Sequence, residues 1–117
     1  MAKDPKLYVL DRITPKAGCG EDFFRYYMDR YVPVATARGL KLEHRWVNPP
    51  VWMEGEQSNT LFFVWSVEGV AAYWEVAGKA RWDPSSPDFW RDIEPMIVER
   101  RRAVLAEASD VASLSDV

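Results

Sequence analysis

Residues 6–14 read Lys-Leu-Tyr-Val-Leu-Asp-Arg-Ile-Thr, a β-branched and aromatic run closed by Pro15 and Gly18, and they predict a strand that is apolar on both faces. Side chains alternate along a strand, so Leu7, Val9, Asp11 and Ile13 fall on one side and Tyr8, Leu10 and Arg12 on the other. Such a strand belongs in a sheet covered on both sides. Asp11 and Arg12 interrupt it, and an ionisable group inside a covered sheet is costly unless paired. Either they form inter-strand ion pairs with Arg45 or Glu43, or they point into a ligand cavity.

The rest of the chain supplies the covering layers. Glu21 and Asp22 open a helix at its positive end, and Phe23, Phe24, Tyr27, Tyr31, Val34 and Ala35 recur at spacings of three and four. Glu21, Arg25 and Asp29 stand four apart on the other face, as ion pairs require. Pro33 lacks an amide donor and is expected to kink or divide this helix before Gly39. Leu40 to Val47 alternates as a second strand, with Leu42, His44 and Trp46 expected on one face and Glu43, Arg45 and Val47 on the other. Asn48-Pro49-Pro50 interrupts it, and Thr60 to Val67 is a third strand.

Gly69 begins a short helix reaching Gly78 that carries Tyr73, Trp74 and Ala77. The turn Asp83 to Pro87 ends in a helix start at Ser86-Pro87. For residues 99–106 propensity favours helix, because Glu, Arg, Leu and Ala dominate, whereas the order of elements demands a strand. The expectation is a helix to about Val98 and then a fourth strand, with residues 109–117 as a flexible tail behind a single domain of residues 1–108. Strand, helix, strand, strand, helix, strand is the ferredoxin-like βαββαβ order, an α+β fold with a four-stranded antiparallel sheet and helices on one face. The bare face then calls for a second copy, so a homodimer is expected.

Composition narrows the function. The 117 residues carry 15 basic and 18 acidic side chains, for a net charge of −3, which gives no electrostatic basis for nucleic-acid binding. Arg100-Arg101-Arg102 is short and preceded by Glu94 and Glu99, and a solvated face or a barrel-rim charge cluster is expected there rather than a nucleic-acid patch. One Cys and one His cannot build a structural zinc site, and Cys19, flanked by glycines, has no neighbouring base in sequence. No apolar leader or membrane-length run is present, which makes a cytoplasmic protein without a membrane partner the expectation. Six Trp, five Tyr and five Phe exceed what an ordinary core of this size uses and point to a cavity or interface lined by rings.

The stretch Phe24-Arg25-Tyr26-Tyr27, Tyr31-Val32-Pro33, Gly39-Leu40 and Trp46-Val47-Asn48 resembles the dimeric α/β-barrel superfamily, most closely its EthD-like branch, with NIPSNAP-like proteins and small monooxygenases as neighbours. The resemblance covers most of residues 6–106. EthD-like proteins commonly carry His-Ala-Pro where this chain has Tyr31-Val32-Pro33. The resemblance implies two sheets closing into a barrel across a dimer, and metal-free chemistry on small organic molecules.

His44 is the one side chain whose ordinary pKa places proton exchange near neutrality, which makes it the first candidate for acid or base. Tyr31, beside the expected kink, is the candidate donor to a substrate oxygen, and Asp11 the third catalytic candidate. Arg12, Tyr27, Trp46, Trp65, Tyr73, Trp74 and Trp82 are the candidates to contact substrate, with Tyr26 and Trp90 as further aromatic groups. The expected function is that of a cofactor-independent enzyme, an isomerase, cyclase, lyase or metal-free monooxygenase, acting on a hydrophobic, aromatic or polycyclic oxygenated molecule. A non-catalytic carrier of such a molecule is the alternative, and a haem-binding or haem-degrading protein with His44 as ligand a third.

Overall fold

The computed structural model describes residues 5–82 and 85–115, without the side chains of residues 82, 85–87 and 115. Four strands, β1 (Lys6–Pro15), β2 (Lys41–Asn48), β3 (Thr60–Glu68) and β4 (Ile97–Ala106), make one antiparallel sheet in the order β2-β3-β1-β4. Between β1 and β2 lie α1 (Gly20–Tyr26), a π-helical turn (Tyr27–Tyr31) and α2 (Val32–Arg38). Between β3 and β4 lie α3 (Val70–Trp82), α4 (Ser85–Ile93) and a 3₁₀ turn (Glu94–Met96). The α+β ferredoxin-like arrangement expected from the element order is what the chain adopts.

The double-sided character of β1 is resolved by its register. Leu7, Val9, Asp11 and Ile13 stand opposite Val67, Trp65, Phe63 and Leu61 of β3, and this whole face is buried under the helices with Phe23, Tyr27, Tyr31, Ala35, Val76, Phe89 and Ile93. Burying one such side chain stabilises a fold by about 1.5–3 kcal/mol. The other face presents Tyr8, Leu10, Phe62 and Val64, with Trp46 and Leu105 exposed at 56% and 44%.

Several expectations need correction. The register of β2 shifts between Leu42 and His44, so Leu42 pairs with Trp65 and His44 with Val64. Leu42 therefore shares the helix-covered face with Arg45 and Val47, while His44 and Trp46 lie on the open face: a bulge at Glu43 breaks the period of two. Helix α3 continues past Gly78 to Trp82. The helix expected to reach Val98 ends at Ile93, because Pro95 follows and β1 takes residues from Ile97 onward as its second neighbour. The strand itself is where the topology required it, since tertiary pairing overrides helix propensity.

Pro33 divides its helix through a change of winding just before it. The Val32 amide donates to the Tyr27 carbonyl, five residues back, and α2 then starts afresh with Pro33 in its first turn. A proline has no amide to offer the carbonyl four residues back, and the wider turn absorbs that mismatch. Gly39 ends α2 at φ 115°, a conformation that suits glycine. Residues 108–115 form a 3₁₀ turn and the short helix α5 (Val111–Ser115), and Leu114 packs against the core.

Candidate functional site

Asp11 is fully buried in the middle of β1, and its partners come from neither Arg45 nor Glu43. Arg102 of β4 stands directly across the ladder and donates from Nε to Oδ1 at 2.7 Å and from Nη2 to Oδ2 at 2.9 Å. This two-point pairing is the geometry in which a guanidinium best holds a carboxylate. Glu43, at the bulge, instead accepts from the Ser66 hydroxyl and lies near Lys6 and Lys41. That hydrogen bond and the two lysines hold its carboxyl below the usual range.

The π-helical turn brings two tyrosines down onto this ion pair. Tyr27 donates to Asp11 Oδ2 at 2.9 Å and accepts from Trp65 Nε1 at 2.8 Å, with its ring stacked on Phe63 at 3.7 Å. Burial pushes the Tyr27 phenol well above its ordinary pKa, and the adjacent Asp11 charge adds to the rise, so it stays protonated. Tyr31, 3% exposed, accepts from Arg102 Nη2 at 2.7 Å. Burial alone would lower the Arg102 pKa, but the bonds and charge of Asp11 outweigh it and leave the guanidinium more firmly protonated than usual.

The direction of every proton in this network is fixed by its ends. Trp65 and Arg102 can only donate. The Tyr27 oxygen therefore receives from Trp65 and sends its own proton to Asp11, and the Tyr31 oxygen receives from Arg102. The Tyr31 proton is left with no acceptor among the described residues. Tyr31 and Arg102 both line a cavity of about 90 Å³, walled also by Val9, Leu40, Tyr73, Val76, Ala77, Ala80 and Arg38. Tyr31 and Arg38 further line an outer groove of about 340 Å³ between α1, α2 and α4, where Tyr26 and Phe89 stack at 5.6 Å.

Of the residues expected from sequence, Tyr31 and Tyr73 line this cavity, and Asp11, Tyr27 and Trp65 hold Tyr31 and Arg102 from behind. His44 is on the opposite face of the sheet, exposed and stacked on Trp46 at 4.5 Å, in a surface depression lined by Leu42 to Trp46. One chain therefore does not bring His44 to Tyr31 or Asp11. Arg12 is also on that face, across from Arg101. Trp74 is 64% exposed on α3, away from the cavity, and the side chain of Trp82 lies outside the described residues.

Arg38 was not singled out by sequence, and Arg102, expected only as part of a solvated basic run, instead turns in to pair with Asp11 and Tyr31. The alternation of β4 held the signal for Arg102: paired antiparallel to β1, it places Arg100 and Arg102 on the Asp11 face and Arg101 on the other. Arg100 instead covers the Trp90 ring at 3.5 Å. Among the described residues no three His, Cys, Asp or Glu side chains come together as a metal centre requires.

The chain matches no protein-family model and no curated protein. Among solved structures it is similar to an uncharacterized NIPSNAP domain protein from Burkholderia xenovorans, at 17% identity and a TM-score of 0.69, covering 88% of this chain and 95% of that one. A NIPSNAP family protein of unknown function from Agrobacterium tumefaciens aligns with TM-score 0.69 at 13% identity, covering 92% and 95% of the two chains. A protein of unknown function from Rhodopseudomonas palustris aligns with TM-score 0.59 at 15% identity over 90% and 84%. At these identities the likeness is one of fold. The fold is one that NIPSNAP-family structures share, and nothing in the likeness supports the EthD-like branch.

Proposed function

We propose that this protein takes a small oxygenated organic molecule into the cavity between sheet and helices and polarises its oxygen with Tyr31 and Arg102. The observation that carries this reading is the Tyr31 hydroxyl, which accepts from Arg102 and keeps its own proton for a guest. A phenol backed by a guanidinium stabilises negative charge developing on a carbonyl oxygen. Hydrogen bonding to a substrate oxygen is the step this suits; in an enolate-forming isomerisation, cyclisation or lysis the α-proton goes to a basic group of the guest itself or to water, since no described lining residue is a base. Asp11 and Tyr27 are positioning residues, and His44 has no part in it within one chain.

Non-catalytic binding is the second reading, favoured by one observation: among the described residues lining the cavity none is a carboxylate or imidazole that would serve as base. A second copy of the chain covering the open face at Trp46, Phe62 and Leu105 belongs to the same proposal, since these apolar groups are exposed or half-exposed in one chain. Among the described residues no helix is long and apolar enough to cross a membrane, and a cytoplasmic setting, which keeps Cys19 reduced, is part of the proposal.

The test is a panel of enolisable ketones and esters followed by tryptophan fluorescence for binding and by mass spectrometry for conversion. Tyr31→Phe is expected to lower binding or turnover at least tenfold, and His44→Ala to leave both unchanged. Loss in His44→Ala with full retention in Tyr31→Phe overturns the assignment.

A further inference from the structure

The inventory of polar groups around the cavity says which end of a ligand it takes. Tyr31 has a proton to give and an oxygen already occupied. Arg102 spends Nε and Nη2 on Asp11 and Tyr31, which leaves Nη1 without an acceptor among the described residues. Arg38 has partners of its own, and a guanidinium accepts nothing. Among the described residues that line the cavity no side chain is acidic, and the remaining walls are Val9, Leu40, Val76, Ala77, Ala80 and the Tyr73 ring. A ligand group that brings only donors, such as an ammonium, meets no free side-chain acceptor among the described residues lining the cavity.

From this we infer that the cavity takes the carboxylate of an organic acid, whose apolar body lies in the groove over Tyr26 and Phe89. The inference rests on the cavity being the ligand site and adds the class of ligand. Size supports the division of roles. A volume of about 90 Å³ is well below the roughly 150 Å³ of a cavity that admits benzene, which leaves room for a carboxylate and the carbon that bears it and too little for a ring. The groove of about 340 Å³ accommodates a ring, and Tyr31 and Arg38 line both spaces. Tyr26, Phe89 and Val34 give the groove an apolar stretch of wall for a flat or branched body, beside the charged Arg30, Asp88 and Asp92 that also line it.

Three probes of matched shape separate charge from shape: phenylacetate, phenylacetamide and phenethylamine, titrated into the full-length protein with methyl-labelled Ala and Val followed by NMR. Phenylacetate is expected to shift the methyls of Ala77, Ala80 and Val76 in the cavity and of Val34 in the groove, with a Kd at least tenfold below that of the amide. Phenethylamine is expected to leave the cavity methyls unmoved. Equal affinity for acid and amide, or a preference for the amine, overturns the carboxylate assignment. If the amide and the acid then bind equally and both lose affinity in Tyr31→Phe, the donor site stands and only the ligand class falls. If no probe moves the Ala77 and Ala80 methyls, the cavity itself is not the site and both readings fall.

Discussion

Arg102 Nη2 donates to the Tyr31 hydroxyl across 2.7 Å while the same guanidinium grips the fully buried Asp11 through two bonds. One edge-strand side chain thus neutralises a core carboxylate and sets the orientation of a phenol 71 residues away in sequence. The arrangement is asymmetric in exposure. The Asp11 side chain is wholly buried, whereas that of Arg102 is 37% exposed.

That asymmetry orders the consequences of breaking the pair. Arg102→Met leaves Asp11 buried and uncompensated and is expected to cost about 3–5 kcal/mol. Asp11→Ala should cost less, about 2–3 kcal/mol, because the freed guanidinium reaches water. Urea unfolding of both single variants and the double variant checks this, and the double should cost less than the sum.

Tyr27 makes a prediction in pH. Its folded pKa is raised by burial and by Asp11, so its contribution is complete below the pKa of an unfolded tyrosine and is lost as pH rises past that value. Above about pH 10 the unfolded chain releases a proton that the folded one retains, a slope approaching 1.4 kcal/mol per pH unit. The urea midpoint of the native protein should therefore fall more steeply between pH 9.5 and about 11 than that of Tyr27→Phe. Parallel curves for the two proteins would contradict the buried phenol.

Two glycines should respond with opposite sign to Ala. A Cβ on Gly20 would lie 2.7 Å from Asn59 Oδ1, and Asn59 is held in place by bonds to Met53, Pro49 and Val51. Gly20→Ala is expected to destabilise by about 1–3 kcal/mol. Gly78, inside α3, has open space where a Cβ would be, and Gly78→Ala should gain about 0.5–1 kcal/mol of helix propensity. Thermal melts of the two variants should bracket the native Tm.

The open face supplies a test of association. Trp46 and Leu105 border one apolar depression with Tyr8, Leu10, Phe62 and Val64. The native chain is expected to run as a dimer by sizing, and replacing both Trp46 and Leu105 with Glu to give a stable monomer. A native chain that is itself monomeric contradicts the covered-face proposal.

The sequence carried the fold a long way. The alternation of residues 6–14, the aromatic period after Glu21 and the strand at Thr60 mark their elements through local periodicity, which depends on neighbours in the chain. Where periodicity changes without a local sign, as at the Glu43 bulge, the reading put Leu42 on the face of His44, and the pairing with β3 placed them on opposite faces. Asp11, Tyr27 and Tyr31 were legible as chemically notable residues, and an acid in an apolar strand announced that a cation must meet it.

Which cation, and on which side of the sheet, was decided elsewhere. A strand at residues 97–106 is stable only beside β1, and that antiparallel register alone turns Arg102 toward Asp11 and Arg101 away. The β2–β3 register, with its bulge at Glu43, separates His44 from Tyr31 by the thickness of the sheet, although as isolated side chains both were candidates for chemistry. Local sequence determined which elements form and that a buried charge needed an answer. Long-range pairing, which no neighbouring residue encodes, determined who answers it and which phenol the answering guanidinium also holds.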